Sequence, residues 1–301
     1  MVARFLIAVI AILLCLAATL LAWMWRMKRR AHYTLAQTFW YTINVGFNTL
    51  LWRTKVSGPL PVEPQQGAVI VCNHRSGIDP LLIQMATDRV VHWMVAREYF
   101  AYRIMAACFD ALGSIPVNRR GIDTAATKQA IRLAKEGKLV GLFPEGKINT
   151  SGDLLLPGRS GAALIAIKAG VPVIPCYTSG APYNGTALGP LLMRANARVT
   201  IGKPIDLGEY LNRDSDREVL ADLTKRFLKE IAHLAGDDAF EPKLAGKISH
   251  AGDSASAGDD DAAGDPPAQA GENRATGNGS PASNRERGEA DDESHRATTE
   301  G

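Results

Sequence analysis

A histidine and an aspartate follow an apolar run with four residues between them: His74 and Asp79, in the stretch VIVCNHRSGIDPLL at 69–82. Histidine is the side chain best suited to accept a proton near neutral pH. A carboxylate at the other ring nitrogen fixes the tautomer and stabilises the imidazolium that forms. A turn at Ser76 and Gly77 lets Asp79 fold back onto His74, so the pattern is typical of a general base with its orienting carboxylate.

The same residues have a plainer interpretation. Asp79 followed by Pro80 is also an N-cap followed by proline at the first helical position. His74 is then an ordinary turn residue. The spacing alone leaves both interpretations open.

Two further polar clusters follow apolar runs. The stretch GSIPVNRRG at 113–121 carries Arg119 and Arg120, and a guanidinium at this place can hold a phosphate through two hydrogen bonds. A solvated pair of loop arginines is the alternative for this cluster in isolation.

The third cluster begins at FPEG, 143–146, where proline and glycine flank Glu145 at a sharp strand exit. A carboxylate fixed there can accept substrate hydroxyls or orient an arginine. Lys147 and Arg159 add positive charge, and Arg159 opens the next helix, near a dipole end that attracts anions.

The elements that must position these clusters alternate between strand and helix. Candidate strands span 68–72, 90–96, 114–117, 139–143, 171–177 and 197–201. Candidate helices span 80–86, 99–112, 124–136, 161–169 and 216–234. The alternation predicts an α/β layered domain with a largely parallel sheet flanked by helices, over 57–245. Ligands bind at the carboxyl ends of the strands in such sheets, where all three clusters fall.

An apolar run near the N-terminus predicts a membrane anchor. Residues 5–25 form an uncharged run of 21 residues, and about 20 suffice to cross a bilayer core as a helix. No small-residue cleavage site follows before the charges, which favours an uncleaved anchor at 1–30 over a signal peptide. Arg4 precedes the run, and four basic residues follow it: Arg26, Lys28, Arg29 and Arg30. This asymmetry predicts a single-pass protein whose catalytic domain lies on the cytoplasmic side.

The next segment, 31–56, predicts an amphipathic helix at the membrane interface. Its apolar residues recur at spacings of three or four: Leu35, Phe39, Ile43, Phe47, Leu50 and Leu51. A helix packed on the soluble core has the same periodicity, so this alternative stays open.

The C-terminal end, 246–301, predicts a disordered acidic tail, because it lacks aromatic residues and apolar periodicity. It holds 12 acidic and 5 basic residues, whereas the whole chain has a net charge of +3, so the rest of the chain is basic. A basic body suits an anionic lipid surface or an anionic substrate. The sequence predicts no metal site, no cofactor and no nucleic-acid partner.

Four blocks together resemble the phospholipid/glycerol acyltransferase family, whose best-known members acylate 1-acyl-sn-glycerol-3-phosphate (lysophosphatidic acid). They are NHRSGIDP at 73–80, GSIPVNR at 113–119, FPEG at 143–146 and VPVIPC at 171–176, in the family's order. The resemblance covers about 52–204.

The resemblance implies roles for the residues of these blocks. His74 takes the proton of the acceptor hydroxyl, oriented by Asp79, and the oxygen attacks the thioester of acyl-CoA or acyl-carrier protein without an acyl-enzyme. Arg119, with Glu145 and Gly146, holds the acceptor's glycerol phosphate. The implied partners are membrane lipids, a lysophospholipid acceptor and the acyl donor, and the implied product is phosphatidic acid in phospholipid biosynthesis.

One departure bears on the acceptor. Family members often continue FPEG with threonine, arginine and serine, whereas this chain has Lys147, Ile148 and Asn149. Ile148 at the arginine position leaves another lyso-lipid acceptor open. A non-catalytic lipid-binding scaffold with the acidic tail as its interaction element is a further alternative. A serine hydrolase is disfavoured because no GxSxG motif is present.

Overall fold

The protein is described by a computed structural model over residues 1–31, 33–119, 123–186, 189–211, 213–214 and 216–246. Arg120 and the predicted acidic tail beyond Gly246 lie outside the described residues.

Seven α-helices occur in the described residues. They are α1 (Val2–Ala31), α2 (Leu35–Leu50), α3 (Asp79–Ile83), α4 (Arg103–Ala111), α5 (Thr124–Lys135), α6 (Gly161–Ala169) and α7 (Arg217–Leu234).

Seven strands form one sheet. They are β1 (Lys55–Val56), β2 (Ala68–Cys72), β3 (Val91–Ala96), β4 (Ile115–Val117), β5 (Leu139–Leu142), β6 (Val173–Ser179) and β7 (Arg198–Ile201). Their order across the sheet is β1-β7-β6-β2-β5-β3-β4. All neighbours pair in parallel except β6 and β7.

Helices cover both faces of the sheet. Alternate residues of β2 point to opposite faces: Val69 and Val71 pack in the cluster formed with α5, α6 and α7, and Ile70 packs in the cluster that contains Trp52 and Leu82. A strand that is buried on both faces has a continuous apolar sequence. Every residue of β2 is buried, in agreement with its apolar sequence. The predicted α/β layered fold is therefore confirmed.

The sheet departs from the prediction at one side. β1 was missed because two residues are too few to carry a pattern. β7 runs antiparallel to β6, and the described part of their connection contains only a short 3-10 turn, Gly189–Leu192. A parallel return requires a longer crossover, usually an α-helix.

The N-terminal helices expose apolar surface. One helix in the described part of the chain, at Val2–Arg26, is long and apolar enough to span a membrane. α2 packs on the domain through polar side chains, with Thr38, Asn44 and Asn48 buried. Its apolar residues Leu35, Phe39 and Leu50 are exposed instead. Thus α2 docks mainly through polar side chains, with Phe47 stacked on the buried Trp52, and exposes an apolar face.

Gly141 in the central strand β5 provides a test of this packing. A Cβ at Gly141 would lie 2.6 Å from two atoms of the buried Trp93 indole on β3. We expect Gly141→Ala to lower the free energy of unfolding by about 1–3 kcal/mol, the usual cost of overpacking a core. The measurement is denaturant unfolding of the detergent-solubilised protein.

Gly152→Ala is the matched control, because a Cβ there has no atom within 4 Å. It should change the free energy of unfolding by less than about 1 kcal/mol. Equal effects of the two substitutions would contradict the described packing.

Candidate active site

The candidate site lies where three neighbouring strands end. β2 pairs in parallel with β5 on one side and with β6 on the other, so their carboxyl ends meet at one edge of the sheet. The segment after β2 carries His74 and Asp79, the segment after β5 carries Glu145, and β6 carries Thr178 near its end.

The His74 and Asp79 side chains are in contact. His74 Nδ1 lies 3.1 Å from Asp79 Oδ2, and the Asp79 side chain is fully buried. Oδ2 also accepts hydrogen bonds from the backbone N–H groups of Arg75, at 2.7 Å, and Ser76, at 2.8 Å. Asp79 does begin a helix, but α3 has no side-chain cap bond, and the carboxylate turns back over the 75–78 turn. The N-cap interpretation of Asp79 is therefore wrong for its side chain.

Two residues that the sequence analysis did not identify complete this arrangement. The Thr178 hydroxyl donates to Asp79 Oδ1, at 3.1 Å. The Asn73 side-chain amide makes two hydrogen bonds to the backbone of β6. Its Oδ1 accepts from Thr178 N–H at 2.7 Å, and its Nδ2 donates to Thr178 C=O at 2.9 Å. Thr178 comes directly after the predicted strand 171–177, and a polar residue ending that apolar run was the available signal.

The imidazole of His74 is partly exposed, at 16% of its side-chain surface. A carboxylate only accepts hydrogen bonds, so Nδ1 carries the hydrogen that faces Asp79. Nε2 is then the ring nitrogen that can accept a proton. The ring also stacks on Phe143, with centroids 3.8 Å apart and an interplanar angle of 5°.

Glu145 contacts the backbone around it. Oε1 accepts from His74 N–H at 2.7 Å and Oε2 accepts from Leu156 N–H at 2.8 Å. The residue is 3% exposed. Burial raises the pKa of the Glu145 carboxyl, and the two N–H groups oppose that rise. The resemblance implies that Glu145 binds substrate, but each of its carboxylate oxygens already accepts a backbone N–H.

The predicted cationic residues take different places. Gly146 adopts a φ of +73°, and a Cβ there would lie 3.0 Å from Arg159 Nε, so the Arg159 side chain runs along this turn. Lys147 and Arg159 are both exposed beside it. Arg119 lies just past the end of β4, three strands along from β2, and forms an ion pair with Glu98.

A second histidine and aspartate have the same spacing. His233 Nδ1 contacts Asp238 just past the end of α7, and both side chains are mostly exposed. The hydrogen bond that His233 donates to Asp238 raises the pKa of His233. The five-residue step is therefore the same for the His74–Asp79 pair and the His233–Asp238 pair. The two pairs differ in the burial of the carboxylate, since Asp79 is buried and Asp238 is exposed.

The chain is similar to known acyltransferases in sequence. The sequence profile of the acyltransferase family matches residues 53–179. The 1-acyl-sn-glycerol-3-phosphate acyltransferase of Bacillus subtilis is 29% identical over 177 residues, 58% of this chain and 83% of that protein. The human 1-acyl-sn-glycerol-3-phosphate acyltransferase beta is 32% identical over 139 residues, 44% of this chain and 49% of that protein.

A solved structure has the same fold. It is the 1-acyl-sn-glycerophosphate (LPA) acyltransferase PlsC from Thermotoga maritima, with a TM-score of 0.50 and 21% identity, covering 68% of this chain and 86% of that one. The chain thus spans most of the Bacillus and Thermotoga proteins and about half of the human one. Profile and relatives coincide on the region that holds His74, Asp79 and Glu145, and residues 53–179 therefore form a domain of the acyltransferase family.

Proposed function

We propose that this chain transfers a fatty acyl group from acyl-CoA or acyl-carrier protein to the free hydroxyl of 1-acyl-sn-glycerol-3-phosphate, which yields phosphatidic acid. The observation that carries the proposal is the buried Asp79 carboxylate held against His74 Nδ1, because it leaves Nε2 as a proton acceptor at the sheet edge. The names of the relatives supply the acceptor.

The transfer proceeds in one displacement. His74 Nε2 takes the proton of the acceptor hydroxyl as its oxygen attacks the thioester carbonyl. The tetrahedral intermediate collapses, the C–S bond breaks, and the proton on His74 passes to the leaving thiolate. Asp79 stabilises the imidazolium formed between these steps.

The nearest potential nucleophiles are engaged elsewhere, which supports direct transfer. The Ser76 hydroxyl donates to the Pro182 carbonyl at 2.6 Å, and Ser76 is fully buried. Cys72 is buried as well, and burial raises the pKa of its thiol well above the ordinary value. Neither group points a free nucleophile at a bound thioester.

The proposal places the enzyme at a membrane, where its lipid acceptor resides. α1 serves as an anchor, and the exposed apolar residues of α2 rest in the interface. The basic residues that follow residue 25 put the catalytic domain on the cytoplasmic side, where acyl-CoA and acyl-carrier protein occur.

The function is tested with the purified full chain in detergent or nanodiscs, given acyl-CoA and lysophosphatidic acid. His74→Ala should lower the rate of phosphatidic acid formation by about 10²–10⁴-fold, because the general base is lost. The melting temperature should fall only modestly, because Asp79 Oδ2 keeps its two backbone N–H donors, so the variant should be folded at the assay temperature.

The matched control is His233→Ala, which removes a histidine with the same aspartate spacing at an exposed position. This variant should keep full activity. An active His74→Ala variant, or an inactive His233→Ala variant of normal stability, would overturn the assignment of the base.

A second acceptor class has one observation in its favour. The family's frequent arginine is Ile148 here, and Arg119 is paired with Glu98 beyond β4, three strands from β2, so we assign phosphate recognition to Lys147 and Arg159 beside Gly146. Another lyso-lipid is then the alternative acceptor.

A panel of lyso-lipids separates the two acceptors. We expect kcat/KM to be highest for lysophosphatidic acid, and Arg159→Gln to lower it about 10–100-fold for this acceptor, the cost of one charge-assisted hydrogen bond. The control Arg226→Gln changes an exposed arginine on α7 and should have no effect. A different lyso-lipid with a higher kcat/KM, insensitive to Arg159→Gln, would establish the alternative.

A further inference from the structure

The plane of the His74 imidazole is set by a neighbouring ring. Phe143, the first residue after β5, lies parallel to it with centroids 3.8 Å apart and an angle of 5°. The hydrogen bond to Asp79 fixes where Nδ1 points, but one bond leaves the ring free to tilt about it. The Phe143 face removes that remaining freedom, so the two contacts together determine the position of Nε2.

Phe143 is itself held from behind. The Trp93 indole stacks on it, with centroids 4.9 Å apart and an angle of 17°. Trp93 is buried and lies over Gly141, where even a Cβ would come within 2.6 Å of the indole. The three rings therefore form one stack that is seated on the backbone of the central strand β5.

The backbone of His74 is held by the segment that follows Phe143. Its N–H donates to Glu145 Oε1 at 2.7 Å, and its C=O accepts from Asn149 N–H at 2.7 Å. The other carboxylate oxygen of Glu145 accepts from Leu156 N–H, so Glu145 joins His74 to the 145–156 loop. β2 ends at Cys72, and these bonds replace the sheet bonds that would otherwise fix His74.

We infer that Phe143 and Glu145 are positioning residues for His74, Phe143 through its ring and Glu145 through the backbone, and that Glu145 does not bind the acceptor. Glu145 is 3% exposed and each of its oxygens already accepts a backbone N–H, which leaves it poorly placed to contact a substrate. The stack also has a chemical consequence, since the face of an aromatic ring attracts the cation that His74 becomes when it accepts a proton. The inference rests on the proposed function only in taking His74 as the base.

Kinetics of two variants separate positioning from substrate binding. Phe143→Leu keeps an apolar side chain but removes the ring face. We expect its kcat to fall about 10–100-fold, because a misplaced base slows the chemical step. Its KM for the acceptor should change less than about threefold. Phe143→Tyr retains the stack and should restore kcat to within about threefold of the unchanged enzyme. Phe240→Leu, at a partly buried phenylalanine packed on the opposite face of the sheet, is the control and should leave kcat unchanged.

Glu145→Gln tests the second half of the inference. The amide keeps one acceptor oxygen but turns an N–H group toward one of the two backbone donors, so kcat should fall while KM for the acceptor stays within about threefold. A rise in KM with kcat unchanged would instead establish Glu145 as an acceptor-binding residue and overturn this part.

The NMR chemical shift of His74 in the unchanged protein tests the stack without an acceptor and without a Phe143 variant. At a pH where both imidazoles are neutral, a ring stacked at 3.8 Å shifts the His74 Cε1 proton upfield in the NMR spectrum, relative to the exposed His233. The signal is assigned among the chain's six histidines with His74→Asn. An upfield signal with no activity on any lyso-lipid would leave the inference standing and refute the proposed function. A His74 signal at the position of His233 would overturn the inference whatever the enzyme acylates.

Discussion

A carboxylate removed from water must be surrounded by donors, and the burial of Asp79 is the constraint on which the site depends. Transferring an ion into a protein interior costs several kcal/mol unless its hydrogen bonds are replaced. Asp79 receives N–H groups from Arg75 and Ser76, the ring hydrogen of His74 and the hydroxyl of Thr178. The 75–78 turn must therefore fold inward and β6 must run beside β2, so the conditions that bury the charge also orient the base.

The same site is connected to both neighbouring layers. On the β5 side, the Phe143 ring and the Glu145 carboxylate contact His74 directly. On the α2 side, Asn44 donates to the Leu81 carbonyl at 3.1 Å, two residues after Asp79 in α3. A helix with an exposed apolar face is thus bonded to the helix that carries the orienting carboxylate. Under the proposed function, this bond would join the site to the part of the chain that rests on the membrane.

The sequence predicted those parts of the structure that local patterns encode. Continuous apolar runs identified β2, β5 and β6, and parallel alternation implied that the polar clusters after them share one edge. It could not distinguish the His74 pair from the His233 pair, because spacing is local whereas burial is set by the whole fold. The bonds between Asn73 and Thr178 join residues 105 positions apart, so no local pattern contains them. Occupation of both oxygens of Glu145 was unpredictable for the same reason.

The hydrogen bond to Asp79 holds His74 in the tautomer whose Nε2 can accept a proton. Nitrogen-15 NMR of histidine-labelled protein measures this tautomer, at a pH where the ring is neutral, with His74→Asn for assignment. We expect a protonated Nδ1 and an unprotonated Nε2 at His74, and a mixture of tautomers in Asp79→Asn. A hydrogen on Nε2 of His74 in the unchanged protein, or a tautomer unaffected by Asp79→Asn, would contradict this role of Asp79.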